Sequence, residues 1–139
     1  MRLFNLEPTD SRQLAQELLD AEVLVRTCCG DDLLSGSQHD LPLLQQVIEN
    51  IPAPVLDTEQ VQALAAALGR VLLQSQPGSD WVVVQGVHRR GLAIRRIGTL
   101  HWISPEGALL SHLHGQAAPD LQRLHASMLE RLNPPALAS

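Results

Sequence analysis

The sequence predicts an α+β fold: a three- to four-stranded antiparallel sheet with helices packed mainly on one face. Three observations predict it. Val61, Leu64, Ala65, Leu68, Val71 and Leu72 recur at helical spacing. Trp81-Val82-Val83-Val84 then opens a β-rich run, interrupted at two glycine-containing turns and ending at Ile103. Ser104-Pro105-Glu106 reopens a helix, with serine as cap and proline in the first turn, where its missing N–H does no harm.

The elements follow in order. Leu3, Phe4 and Leu6 suit a short strand or a docked arm. Pro8-Thr9-Asp10-Ser11 signals a helix start, with Gln13 or Gln16 as capping partner. Leu14, Ala15, Leu18 and Leu19 give that helix an apolar face, ending near Asp20 or Glu22. Val23-Leu24-Val25 fits a strand or a last helical turn equally well. Cys28-Cys29-Gly30-Asp31-Asp32 reads as a turn and Ser35-Gly36-Ser37 as a loop. Asp40 caps a second helix with Leu43, Leu44, Val47, Ile48 and Ile51 as its stripe, stopped by Pro52-Ala53-Pro54. Asp57 caps the third, with Gln60 three residues on, and Pro77-Gly78-Ser79 breaks the chain after it.

Trp81 to Val87 is the first long strand, His88-Arg89-Arg90-Gly91 its turn, and Leu92 to Ile97 the second strand. Both alternating sets of the first strand are apolar, so it is central or covered on both faces. Gly98-Thr99 has glycine first, as a type II′ hairpin link wants, and Leu100 to Ile103 is the third strand. A short helix runs to about His112. Pro119-Asp120 opens the last, with Leu121, Leu124, Met128 and Leu132 on one face. The Pro/Ala-rich tail from Asn133 to Ser139 is expected to fray.

A chain of 139 residues suits one domain. Within it, residues 1–37 read as an N-terminal helical extension, 38–114 as a core unit and 118–133 as a C-terminal helix. Aromatic residues are 2% of the chain, so the core is packed by aliphatics and no aromatic platform for stacking bases is available. Net charge is −5 and all ten cations are arginine, which argues against a nucleic-acid partner. The absence of lysine fits the codon usage of a GC-rich bacterial genome. No apolar run is long enough to span a membrane, and the N-terminus has no signal-peptide core, so a cytoplasmic protein is expected. Cys28 and Cys29 are adjacent, too close for an ordinary disulfide, and in a reducing cytosol both stay thiols.

Most candidate chemistry has a plainer reading. His112 and His114, with His101 and His125 elsewhere, could share a metal only in an extended stretch, because helical residues two apart diverge. Surface and capping histidines, without metal or cofactor, are the expectation. Cys28-Cys29 lacks the Cys-x-x-Cys geometry and reads as structural thiols. Gly86 and Gly91 have no Lys-Ser/Thr after them, so they are hairpin glycines rather than a phosphate loop. Asp31-Asp32 sits in a turn with no apolar flank to shift a carboxyl, and reads as solvated. Trp81 and Trp102 are core anchors, or an exposed contact in the case of Trp102.

The arginines carry the candidate site. Arg89, Arg90, Arg95 and Arg96 fall close together in an acidic chain. Arg95 and Arg96 point to opposite faces of one strand, and whichever faces the helices needs a carboxylate. Their plainer reading is a solvated strand face; the sharper one, with Trp102, is the candidate binding surface for an acidic protein partner.

Asp40-Leu41-Pro42-Leu43-Leu44-Gln45, Asp57-Thr58-Glu59 through Leu68-Gly69, Trp81-Val82-Val83-Val84, Leu92-Ala93-Ile94-Arg95, Gly98-Thr99 and Pro105 together resemble a bacterial domain-of-unknown-function family, uncharacterised family 3806. The resemblance covers about residues 40–113, leaving out the first 37 residues and the last helix. It implies an α+β fold and a bacterial source, and no reaction, catalytic residue or cofactor. The family carries acidic residues at the turn between the first two strands, whereas this turn is basic.

Three functions are compatible with this reading. The first is a non-catalytic protein-interaction module: a small cytosolic adaptor, chaperone or immunity-type protein, monomeric or homodimeric. The second is a small-molecule-binding regulatory domain, which a concave apolar pocket would favour. An enzyme is the third.

Overall fold

The structure is a computed structural model and describes residues 2–30, 33–51, 56–115 and 118–134. Asp31-Asp32, Pro52-Ala53-Pro54 and the tail from residue 135 lie outside the described residues, so the expectations placed on them rest on sequence alone. The order is β1 (Arg2–Phe4), α1 (Pro8–Cys29), α2 (Asp40–Asn50), α3 (Thr58–Ser75), β2 (Ser79–Gln85), β3 (Arg90–Arg96), β4 (Trp102–Ile103), α4 (Pro105–Gly115) and α5 (Leu121–Leu132). The four strands form one antiparallel sheet in the order β1-β2-β3-β4. The α+β class and the antiparallel sheet are as the sequence predicts.

Register fixes the faces. Trp81 pairs with Ile94, and Ile94 with Ile103, so these three share a face. Ile94 and Ile103 belong to the same core as α2, α3, α4 and α5, and Trp81 packs against it. The helical layer therefore meets the sheet on that face. Asp80, Val82, Ala93, Arg95 and Trp102 lie on the other, by the alternation of the strand.

The core is built around α3. Val61, the run Ala63 to Gly69, Val71 and Leu72 are all buried. A helix buried nearly all round must be central. Its start is the expected capping box: Asp57 Oδ1 accepts the Gln60 N–H at 2.8 Å and Gln60 accepts the Asp57 N–H at 3.0 Å. α1 packs along it, which docks the N-terminal extension on the core.

Several boundaries differ from the sequence reading. α1 continues through Val23-Leu24-Val25 to Cys29, because no breaker intervenes before Gly30, whose φ is +81°. Cys28 and Cys29 thus close a helix rather than sit in a turn. Both are half-buried thiols packed against the core. α1 starts two residues earlier than a Thr9 cap and four earlier than a Ser11 cap would give: Glu7 is the N-cap, Pro8 the first helical residue, and Asp10 accepts the Glu7 N–H at 2.9 Å.

The sheet boundaries shift too. β2 spans Ser79–Gln85 instead of Trp81 to Val87, and β3 begins at Arg90 instead of Leu92. Gly98-Thr99 is not a two-residue link: β3 ends at Arg96, β4 begins at Trp102, and the Arg96 N–H reaches the His101 carbonyl at 3.0 Å. α4 runs past His112 to Gly115, so His112 and His114 are both helical.

Candidate functional site

The four arginines do not form one patch. β3 is extended, so Arg89 just before it and Arg96 at its end are separated by about 20 Å or more at 3.3 Å per residue. Both are exposed. Arg90 and Arg95 are already occupied. Each is held by a carboxylate within the fold, Arg90 by Asp10 and Arg95 by Asp80.

Arg90 lies in register with Leu92 and Ile94, on the helix-facing side of β3. A cation there requires a carboxylate, and Asp10 on α1, 80 residues away in sequence, supplies it. Arg90 Nη2 donates to Asp10 Oδ2 at 2.7 Å while Nη1 donates to Oδ1, an end-on bidentate pair. Asp10 is buried, 3% exposed, whereas the Arg90 side chain is 43% exposed. The Arg90 hydrogen bond, with the Glu7 N–H, holds the Asp10 carboxyl down to about 2, against the cost of burial.

That depression has a sign. Asp10 contributes stability above its ordinary value of 3.8, and this is lost as pH falls towards about 2. Asp10→Asn should destabilise the protein at neutral pH by ~1–3 kcal/mol, because half of the pair is exposed to solvent screening. Urea midpoints should show the gap between wild type and variant closing below about pH 4. A gap constant from pH 6 to 2 would mean that the pair contributes no net charge interaction.

Arg95 faces away from the helices and donates to Asp80 Oδ2 at 3.0 Å, its direct cross-strand partner. Trp102, half-buried, is its neighbour on β4. These two residues form a local structure on the outer face and are not near the turn. The site residues thus divide into Arg89 and Arg90 at one end of β3 and Arg96 at the other, with Arg95 and Trp102 beside Arg96 on the outer face.

At the Arg89 end the structure adds residues that the sequence reading left out. Val87 at the tip is 92% exposed and Phe4 on β1 is 44% exposed. Between Phe4 and Arg90 lies a cleft of about 380 Å³, also lined by Asn5, Glu7, Thr9 and Gln85. Arg90 projects into it with its terminal nitrogens pinned by Asp10. Two of its five N–H donors are used there, and three remain. The signal for Phe4 was available: an aromatic residue on a short edge strand in a chain almost without aromatics.

Histidine and serine side chains come together at the α3–α5 seam. His125 is 5% exposed, which corrects its reading as a surface histidine, and its Nε2 lies 3.0 Å from Ser75 Oγ. Ser75 Oγ also lies within hydrogen-bond reach of the Val71 carbonyl one turn back, at 2.9 Å. Burial pushes His125 below its ordinary value. His112 accepts the Asp120 N–H at 2.8 Å and so fixes the start of α5. Among the described residues no three of His, Cys, Asp and Glu are grouped so as to hold a metal ion.

Residues 40–125 match the family described as Domain of unknown function (DUF3806), more than half of the chain. The chain belongs to this family. The match extends into α5, further than the 40–113 that the resemblance suggested. No curated protein matches this DUF3806 chain. A crystal structure of a protein from Bacteroides thetaiotaomicron VPI-5482 is similar in fold, with a TM-score of 0.80 at 16% identity. The alignment covers 93% of this chain and 47% of that one. The chain thus spans about half the length of that protein. Among the described residues, no helix of this DUF3806 member is long and apolar enough to cross a membrane.

Proposed function

We propose that this DUF3806 member is a non-catalytic protein-interaction module that docks an acidic partner at the Phe4–Val87 end of its sheet. The observation that carries the proposal is the pinned guanidinium of Arg90 beside exposed apolar side chains. Asp10 fixes Arg90 in place, so its remaining donors are presented without the ordering cost a mobile arginine incurs. Val87 and Phe4 supply apolar contact, and Arg89 supplies a second, mobile cation for long-range attraction. We place the protein in the cytoplasm of a bacterium, where its vicinal thiols stay reduced. A small carboxylate or phosphate ligand in the cleft beside Arg90 is the second reading, favoured by the cleft's volume of about 380 Å³.

The test compares the wild-type chain with a Val87→Asp/Arg89→Glu variant in pull-downs from native cytosol, read by quantitative mass spectrometry. Stability should change by less than about 0.5 kcal/mol, since both residues are exposed. A stoichiometric partner held by the wild type should be lost by the variant. Retention of that partner by the variant would sink the proposal. A metabolite in place of a protein would establish the second reading.

A further inference from the structure

The groove between α1 and α3 lies away from the sheet end and has a different chemistry. Leu19 and Val23, one turn apart on α1, are 60% and 59% exposed. The same helix buries Ala21 and Val25 against the core. α1 is therefore apolar on two sides, and only one is covered. Beside Val23 runs a groove of about 230 Å³ floored by Leu24 and Ala63. Its rim is Asp20 on α1 and Asp57 and Glu59 at the start of α3, and no cation is among the described residues that line it.

The acidic rim continues past the groove. Glu17 stands one turn before Asp20 on α1, and Glu106 approaches from α4. Burial pushes the Glu17 carboxyl above its ordinary range, and Glu106 and Asp20 push the same way, against a hydrogen bond from Gln13. These carboxylates repel one another, and a row of cations laid along them would relieve that.

We propose that this face docks a basic amphipathic segment of a partner protein, apolar side chains on Leu19 and Val23 and Lys or Arg along the acidic rim. Charge decides the occupant. A second copy presenting the same face would set carboxylates against carboxylates. An anionic lipid surface would be repelled by the same groups. An apolar stripe beside a mainly acidic rim, bounded by exposed Arg26 one turn after Val23 and by Arg90 beyond Glu17 and Glu106, is the pattern a short amphipathic segment of opposite charge complements.

The test uses the full chain and a labelled helical peptide of leucine and lysine, about 16 residues long, with leucines on one face. Its counterpart carries glutamate in place of lysine. Fluorescence anisotropy should show the lysine peptide binding at one site and the glutamate peptide not binding. Val23→Glu should weaken binding at least about tenfold, and Asp20→Asn with Glu59→Gln about three- to tenfold. Binding should weaken between about 50 and 300 mM salt. Val87→Asp, at the distant sheet end, should leave it unchanged, which separates this surface from the one proposed above. Equal affinity for wild type and Val23→Glu would overturn the proposal. So would a dimer in sedimentation velocity that Val23→Glu abolishes, since a second copy would then own the face.

Discussion

Replacing Gly69 with valine is expected to remove a large share of the stability, ~3 kcal/mol or more, read as a fall in the urea midpoint. A Cβ at Gly69 would stand 2.4 Å from Trp81 Cη2, 2.9 Å from Cζ2 and 3.1 Å from Pro105 Cγ. Ordinary carbon contacts lie at about 3.5–4.0 Å. The obstacle is a rigid ring held between α3 and the sheet, so the overlap can be relieved only by moving β2. Alanine at a helix-interior glycine normally adds ~0.5–1 kcal/mol of stability. Here Gly69→Ala should instead cost ~1–3 kcal/mol. Trp81→Phe in the Gly69→Ala background should be partly restorative, because the smaller ring vacates the contested volume. A Gly69→Ala variant as stable as wild type would show that the α3–Trp81 contact is looser than described.

Asp40→Ala should be comparably damaging, at ~2–4 kcal/mol. Asp40 is 1% exposed. Its Oδ1 accepts the Ser35 N–H at 2.7 Å and the Ser35 hydroxyl at 3.1 Å, and its Oδ2 accepts the Gly36 N–H at 2.8 Å. Arg70 Nη2 stands 3.7 Å from Oδ2, and the Arg70 side chain lies against Gly36. Truncation strands two backbone donors and removes the charge facing Arg70 at once. Asp40→Asn keeps one acceptor oxygen and should cost about half as much. Hydrogen exchange at Ser35 and Gly36 should accelerate in both variants. An alanine variant within about 0.5 kcal/mol of wild type would mean that water takes over these donors.

Where the chain announces itself locally, the sequence reading held. Asp57 with Gln60, the apolar stripe of α3, the proline and glycine breaks after it, and the alternation of β2 each lie within a few residues of what they determine. Errors arose where the deciding contact is distant. The sequence starts β3 at Leu92 and leaves Arg90 in a turn, whereas β3 begins at Arg90. Moved into the strand, it takes the parity of Leu92 and Ile94 and must face the helices. Arg96 has that parity too but lies exposed at the strand's end, so the inward arginine that takes a carboxylate is Arg90. Asp10 looked like a capping residue and is one, through the Glu7 N–H; nothing near it in sequence signals Arg90. Gly69, inside a helical stripe, has no local explanation. Its reason is Trp81 on the next element. Leu19, which the sequence places on the apolar face of a helix ending near Asp20 or Glu22, is instead exposed, and continuation of α1 to Cys29 sets Val23 beside it.

The pairing of β1 with β2 has a consequence for synthesis. Arg2 lies opposite Gln85, Leu3 opposite Val84 and Phe4 opposite Val83, and the Asp10–Arg90 pair spans 80 residues. At translation rates of about 5–20 residues per second, the first strand and the first turn of α1 wait roughly 4–16 s for their partners to leave the ribosome. During that interval Leu3, Phe4, Leu6, Leu14 and Leu18 are uncovered on a nascent chain, together with an unpaired strand edge. The final closure is a long-range one whose entropic cost falls late. Slow synthesis would lengthen the vulnerable window, and holding factors that shield emerging apolar segments should bind this chain mainly at its first two dozen residues.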